Sequence, residues 1–213
     1  MKKDGTFLAD SAITLDMTYF KAGNKSYYVW SYRENIGTDI DSGSMLFIAT
    51  TDEKRPWMLT SEPVLLSRPL LGWENVNHTI NNEGPYPLLT DKFVHITYSG
   101  GSAISYTYAL GLLTADKDCD LLDPDNWTKS CAPVLSFYSV ENEYGPGHNS
   151  FFTAQNGEIM IAYHAEESPT SNVRCPRIRR VHFNKDGIPV FNMSAERDLN
   201  PENFLIRTTL RVC

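Results

Sequence analysis

Three ionisable side chains, Asp16, Glu83 and His148, stand at nearly the same place in three similar stretches of the chain. Asp16 lies 14 residues before Trp30, Glu83 lies 15 before Tyr98, and His148 lies 15 before Tyr163. Two carboxyl groups and an imidazole brought into one space have the make-up of an acid–base site. Carboxyl groups that share a pocket push each other's proton affinities apart, so one holds a proton while the other stays ionised. Any one of the three, met alone, reads as a turn or cap residue at a sheet edge. Three in register point to a site.

The elements that would position them are strands. Residues 27–31 (YYVWS), 95–99 (HITYS) and 160–164 (MIAYH) are short aromatic and β-branched runs of the kind that suits a pleated, half-buried surface. Aligning Trp30, Tyr98 and Tyr163 gives steps of 98 − 30 = 68 and 163 − 98 = 65 residues. That period is too long for a helical solenoid and fits a four-stranded propeller blade with generous loops. Blades are related by rotation about one axis, so equivalent inner positions converge even though some 65 residues of chain separate them. An outer pattern repeats as well: Trp57 to Trp127 and Pro63 to Pro133 are both 70 residues apart.

Around these strands the turns are marked by Gly, Asn and Asp, as at Gly23–Asn24 and in 184–187 (NKDG), residues that tolerate the conformations tight turns require. The outer part of the third copy is expected over 178–183 and 188–191, with one more strand near 204–207. No long amphipathic helix is visible. The chain therefore predicts an all-β fold, one domain over 1–213, built as an incomplete β-propeller of three to four blades. Closed propellers have four to eight blades, so a further blade is expected on the N-terminal side, from a missing segment or a second chain.

Composition excludes several classes. With 26 acidic against 19 basic residues the formal charge is −7, the wrong sign for a phosphate-backbone partner, so nucleic acid is not expected. No run approaches the roughly 20 apolar residues of a membrane-spanning helix, and no membrane partner is expected. No export signal stands at the start, although Asn24, Asn77, Asn126 and Asn192 each open an Asn-x-Ser/Thr sequon of the kind glycosylated in secreted eukaryotic proteins. The four cysteines contain no CxxC pair, which argues against a structural zinc. Cys119 and Cys131 are spaced to close a local disulfide loop, with free thiols the equal alternative.

Several longer motifs then carry a resemblance. They are 61–69 (SEPVLLSRP), 82–85 (NEGP), 111–116 (GLLTAD), 121–130 (LLDPDNWTKS), 144–151 (YGPGHNSF) and the Leu-Asp-x-Thr context of Asp16. Together they resemble glycoside hydrolase family 43, five-bladed propellers that cleave arabinofuranosyl and xylosyl linkages, and look closest to its α-L-arabinofuranosidases. The resemblance implies an inverting hydrolase acting on arabinose- or xylose-containing plant polysaccharides. It makes Glu83 the general acid and Asp16 the carboxylate that tunes the acid's pKa and orients it. It associates His148 with a cation such as Ca2+, or with ordered water, on the axis. It places a substrate-binding arginine at Arg177, with Arg174 and Arg179 as neighbours among which the choice stays open. It also implies secretion. Its general base, an aspartate of the first blade, has no counterpart here; Asp4 and Asp10 sit in no copy of the inner-strand pattern.

Trp30 and Tyr86, with Trp73 and Tyr144, are the aromatic candidates for stacking on sugar faces. The competing reading is a non-catalytic propeller that binds arabinosides or xylosides without cleaving them.

Overall fold

In the computed structural model residues 12–191 are described; Asp4, Asp10, Asn192, Cys213 and the strand expected near 204–207 lie outside them. The described chain forms three antiparallel sheets in chain order. The first holds β1 (Ile13–Ala22), β2 (Lys25–Arg33), β3 (Met45–Asp52), β4 (Arg55–Leu59) and β5 (Val64–Ser67), with β3 pairing both β4 and β5. The second runs β6 (Asn82–Leu89), β7 (Phe93–Gly100), β8 (Ala109–Asp116) and β9 (Thr128–Lys129). The third is β10 (Tyr144–Thr153), β11 (Ile159–Glu166) and β12 (Cys175–Arg180), followed by the small hairpin β13 (His182–Phe183) and β14 (Pro189–Val190). This is a partial β-propeller, and its three blades are the three repeats read from the sequence.

Alternation along β2 shows how each blade is wedged in place. Tyr27 and Val29 join a core shared with Val94, Ile96 and Leu113 of the second blade. Trp30 and Tyr32 point to the opposite face, where they pack with Met45, Phe47 and Ala49. A second shared core, with Leu110, Leu112 and Leu135 against Ile161, Tyr163 and Ala165, joins the second blade to the third. Burying each such side chain contributes about 1.5–3 kcal/mol, so the blades hold together by their faces.

Two polar clamps cross the same interfaces. The Tyr98 hydroxyl donates to Glu74 Oε1 at 2.8 Å, Lys129 Nζ meets the same oxygen at 2.6 Å, and the Leu71 amide fills Oε2 at 2.8 Å. The second clamp repeats the first: Tyr163 donates to Glu143, which Arg179 also binds, and Arg177 Nε approaches Glu143 at 3.3 Å. The tyrosines that revealed the repeat thus hold a carboxylate supplied by the segment entering their own blade.

Two sequence expectations are corrected. Trp57 and Trp127 are not equivalent, because Trp57 is 73% exposed on β4 while Trp127 is buried with its indole N–H on the Leu121 carbonyl. The structural step of the third strand is 111 − 47 = 64 residues, since Phe47 opposes Trp30 and Gly111 opposes Tyr98. The spacing of 70 holds only in outer loops whose lengths differ. Cys119, Cys131 and Cys175 are free thiols, so no disulfide closes the 119–131 loop.

Candidate active site

The three innermost strands β1, β6 and β10 share one irregularity. Each slips register by a residue partway along: between Leu15 and Thr18, between Glu83 and Tyr86, and between Gly147 and Ser150. The last regular partners before the slip are Leu15 with Ser31, Glu83 with Ser99, and Gly147 with His164. The next residues, Asp16, Gly84 and His148, are therefore equivalent, and all three adopt left-handed φ values of 55°, 56° and 49°. This is a β-bulge, in which the extra residue leaves the ladder and re-aims its side chain. Sequence spacing set Glu83 level with Asp16 and His148; the hydrogen-bonded register sets it one residue earlier, level with Leu15 and Gly147.

That offset has a steric cause. A Cβ on Gly84 would lie 3.1 Å from His148 Nδ1, so the second bulge must be bare for the imidazole of the third blade to pass over it. The second blade consequently presents its ionisable group from the preceding position. Asp and His in left-handed backbone are uncommon and carry a strain of about 1 kcal/mol each.

The bulges interlock across blades. The Gly84 amide donates to Asp16 Oδ2 at 3.0 Å, and the Ser31 hydroxyl reaches the same oxygen at 3.4 Å. Thr18 Oγ1 donates to the Pro85 carbonyl at 2.8 Å, and the His148 amide donates to Ser99 Oγ at 2.8 Å. His148 Nε2 stands 3.8 Å from Asp16 Oδ1, beyond direct hydrogen-bond range. On Glu83, Oε1 accepts the Tyr108 hydroxyl at 2.6 Å. Arg33 is a further charge neighbour of Glu83, although its guanidinium is bound at 2.8 and 2.7 Å to both oxygens of Asp41. That bidentate pair holds the Asp41 carboxyl well below the usual carboxylate range.

Two hollows flank His148. One, of about 330 Å3, lies between the three inner strands and is lined by Asp16, Gly84, Tyr86, His148 and Asn149 among others. Asn149 is 3% exposed, and both polar atoms of its amide lack a hydrogen bond among the described residues. The other, of about 570 Å3, is bordered by His148, Tyr163, His164 and Arg174. His164 is pushed down to about 4 by burial first, then by Arg174 and His148, so it is neutral at ordinary pH.

The remaining sequence candidates fall into place by contact. Tyr86 lines the hollow beside Asp16 and packs edge-on against Phe151. Arg177 is instead tied to Glu143, with Glu167 at 3.7 Å, and Arg179 to Glu143 and Tyr163; Arg174 is the arginine beside His148. Trp30 is 3% exposed and stacked on Phe47, and Trp73 stacks on Tyr98, so these two rings are core. Tyr108, Ser99 and His164 went unnoticed as site residues because nothing in their spacing distinguishes them from ordinary strand positions. Among the described residues no group of three or more His, Cys, Asp or Glu could hold a metal ion.

A propeller with acidic groups at its centre is an architecture of carbohydrate-active enzymes, and comparison with known proteins agrees. Residues 3–189 match Glycosyl hydrolases family 43, and the chain belongs to that family. It is 33% identical over 202 residues to the extracellular exo-α-(1→5)-L-arabinofuranosidase of Streptomyces avermitilis, covering 91% of this chain and 40% of that protein. It is 31% identical to α-L-arabinofuranosidase B of Pyricularia oryzae, covering 84% and 38%. The crystal structure of the α-L-arabinofuranosidase from Lactobacillus brevis superposes with a TM-score of 0.75 at 34% identity, over 88% of this chain and 58% of that one. The chain thus spans about 40% of the length of the curated relatives it matches.

Proposed function

We propose that the chain carries the acid half of an inverting glycosidase acting on terminal α-L-arabinofuranosyl residues, with β-xylosyl residues the next candidate. The observation that carries this reading is the joining of Asp16, Glu83 and His148, from three blades, through one set of interlocked bulges. Glu83 is the acid that protonates the departing glycosidic oxygen. Asp16, through the Gly84 amide, fixes the backbone next to that acid. Asp16 Oδ2 already receives two donors, so Asp16 is not the base that activates water. Inversion needs that base roughly 6.5–9.5 Å from the acid, and it comes from outside the described residues. Tyr86 and Arg174 are the side chains best placed to touch sugar.

The unbonded amide of Asn149 and the gap between His148 and Asp16 suit a small polar guest, either ordered water or a cation. Two oxygen-bearing side chains and one imidazole fall short of the six to eight oxygens Ca2+ takes, so water would complete its shell. Such a guest would supply a fixed positive or polar floor to the site.

The curated relatives named extracellular support a secreted role. The test is release of 4-nitrophenol from its α-L-arabinofuranoside by the longest chain the gene encodes, with arabinobiose binding measured by calorimetry. Hydrolysis lost in Glu83→Gln with binding kept is the expected result. Hydrolysis that survives Glu83→Gln overturns the reading, and binding without hydrolysis in the unaltered protein turns it to a sugar-binding propeller.

A further inference from the structure

The geometry points to Tyr108 as a positioning residue for Glu83: its hydroxyl occupies Oε1 and thereby confines the transferable proton to Oε2. Every hydrogen bond Glu83 makes through its side chain among the described residues goes to Oε1 from this one donor, at 2.6 Å. The donor has little freedom to move. Tyr108 is 1% exposed, and its ring stacks against His164 with centroids 5.7 Å apart. On the other side a Cβ at Gly147 would come within 2.2 Å of Tyr108 Cε1, so the bare backbone of the third blade's inner strand forms the opposite wall.

The hydroxyl is also fixed in role. Burial, then the charge of Glu83 and its hydrogen bond, hold the phenol proton far above its ordinary range, so Tyr108 donates throughout the working pH range. Ser99 adds its own hydrogen bond to the Tyr108 oxygen while accepting the His148 amide. The result is a chain from the His148 bulge through Ser99 and Tyr108 to Glu83. A donor that is itself an acceptor gives a stronger bond. A carboxylic acid with one oxygen held this way has a single place for its proton, which removes the alternative in which the proton sits on Oε1, turned towards Tyr108. No bond to carbon forms or breaks at Tyr108.

The inference rests on the reading of Glu83 as an acid, and the test has one arm that does not. In isotope-edited infrared spectra of the 213-residue chain at acid pH, the carbonyl stretch of protonated Glu83 is the band that Glu83→Gln removes. Tyr108→Phe keeps the ring and deletes only the donor, so that band should move to higher frequency. Ser99→Ala should move it the same way by less, and decides the matter if the phenylalanine variant does not fold. An unmoved band overturns the inference. In the second arm, the longest gene-encoded chain carrying Tyr108→Phe should lose about tenfold more kcat on an alkyl arabinofuranoside, which needs the proton, than on the 4-nitrophenyl substrate, against the roughly 10²–10⁴ a general acid supplies. Equal losses on both substrates would also count against it. Absence of hydrolysis in the unaltered chain would fail the functional reading while the infrared arm still decides on Tyr108.

Discussion

Two tyrosine-to-carboxylate contacts, barely a strand apart, are built to different ends. At Tyr98 the partner Glu74 is wholly buried, and both oxygens are filled by a phenol, an ammonium and a backbone amide. At Tyr108 the partner Glu83 is half-buried, and only one oxygen is engaged among the described residues. A buried carboxylate with every lone pair matched is a structural clamp, and removing one partner strands the rest. A carboxyl group with one oxygen fixed and one unclaimed is ready to exchange a proton. The difference teaches that burial alone does not mark function here; the incomplete partnership does.

Substitutions should separate the two contacts. The largest effect expected is from Glu83→Gln in the longest gene-encoded chain, which should lose about 10³-fold in kcat, about 4 kcal/mol of barrier. Its urea midpoint should stay unchanged; a marked fall in stability would make Glu83 a clamp like Glu74. Lys129→Met should do the reverse, costing about 3 kcal/mol of unfolding free energy by leaving Glu74 unpaired. Chemical denaturation measures it, and a neutral result would remove the clamp from the comparison.

Histidines sharpen the contrast in a pH series. His95 is buried on β7 with Nδ1 2.9 Å from Thr114 Oγ1, and burial pushes it down to about 4 from 6.5. The folded protein resists protonation there while the unfolded chain takes the proton. Stability should therefore be full above pH 6.5 and decline as pH falls toward 4, by on the order of 3 kcal/mol for a shift of this size. His95→Leu should flatten that part of the pH profile of the urea midpoint, whereas His148→Gln, at a half-exposed position, should leave it in place. The smallest effect expected is a gain: His148→Gly relieves a left-handed residue and should stabilise the fold by about 0.5–1 kcal/mol. Equal or lower stability would mean that the imidazole contributes packing over Gly84 that outweighs the strain.

The repeat was legible in the sequence because its markers are large and buried. Trp30, Tyr98 and Tyr163 occupy one register position in three sheets, and aromatic residues there are hard to replace. The bulge was only half legible. Asp16 and His148 announce themselves by type, but counting from an aromatic residue cannot see that one residue drops out of the ladder, so Glu83 was set one place late. The tryptophans at 57 and 127 misled because loop length, unlike strand register, is free to vary between copies. Arg177 seemed the site arginine because neighbouring arginines on β12 differ only in which way they face. Tyr108 carried no signal, since its role depends on Gly147 and His164 in another blade.

The shared kink has a consequence for how such a molecule can change. A unit copied in tandem copies its kink too, and every copy then offers one outward-turned peg at the hub, held by backbone geometry rather than by whatever side chain it bears. Here two pegs hold an acid and an imidazole and the third is bare, with its neighbour taking over the work. Chemistry at the hub can thus be exchanged residue by residue, by transplanting side chains among positions 16, 84 and 148, without reshaping any sheet.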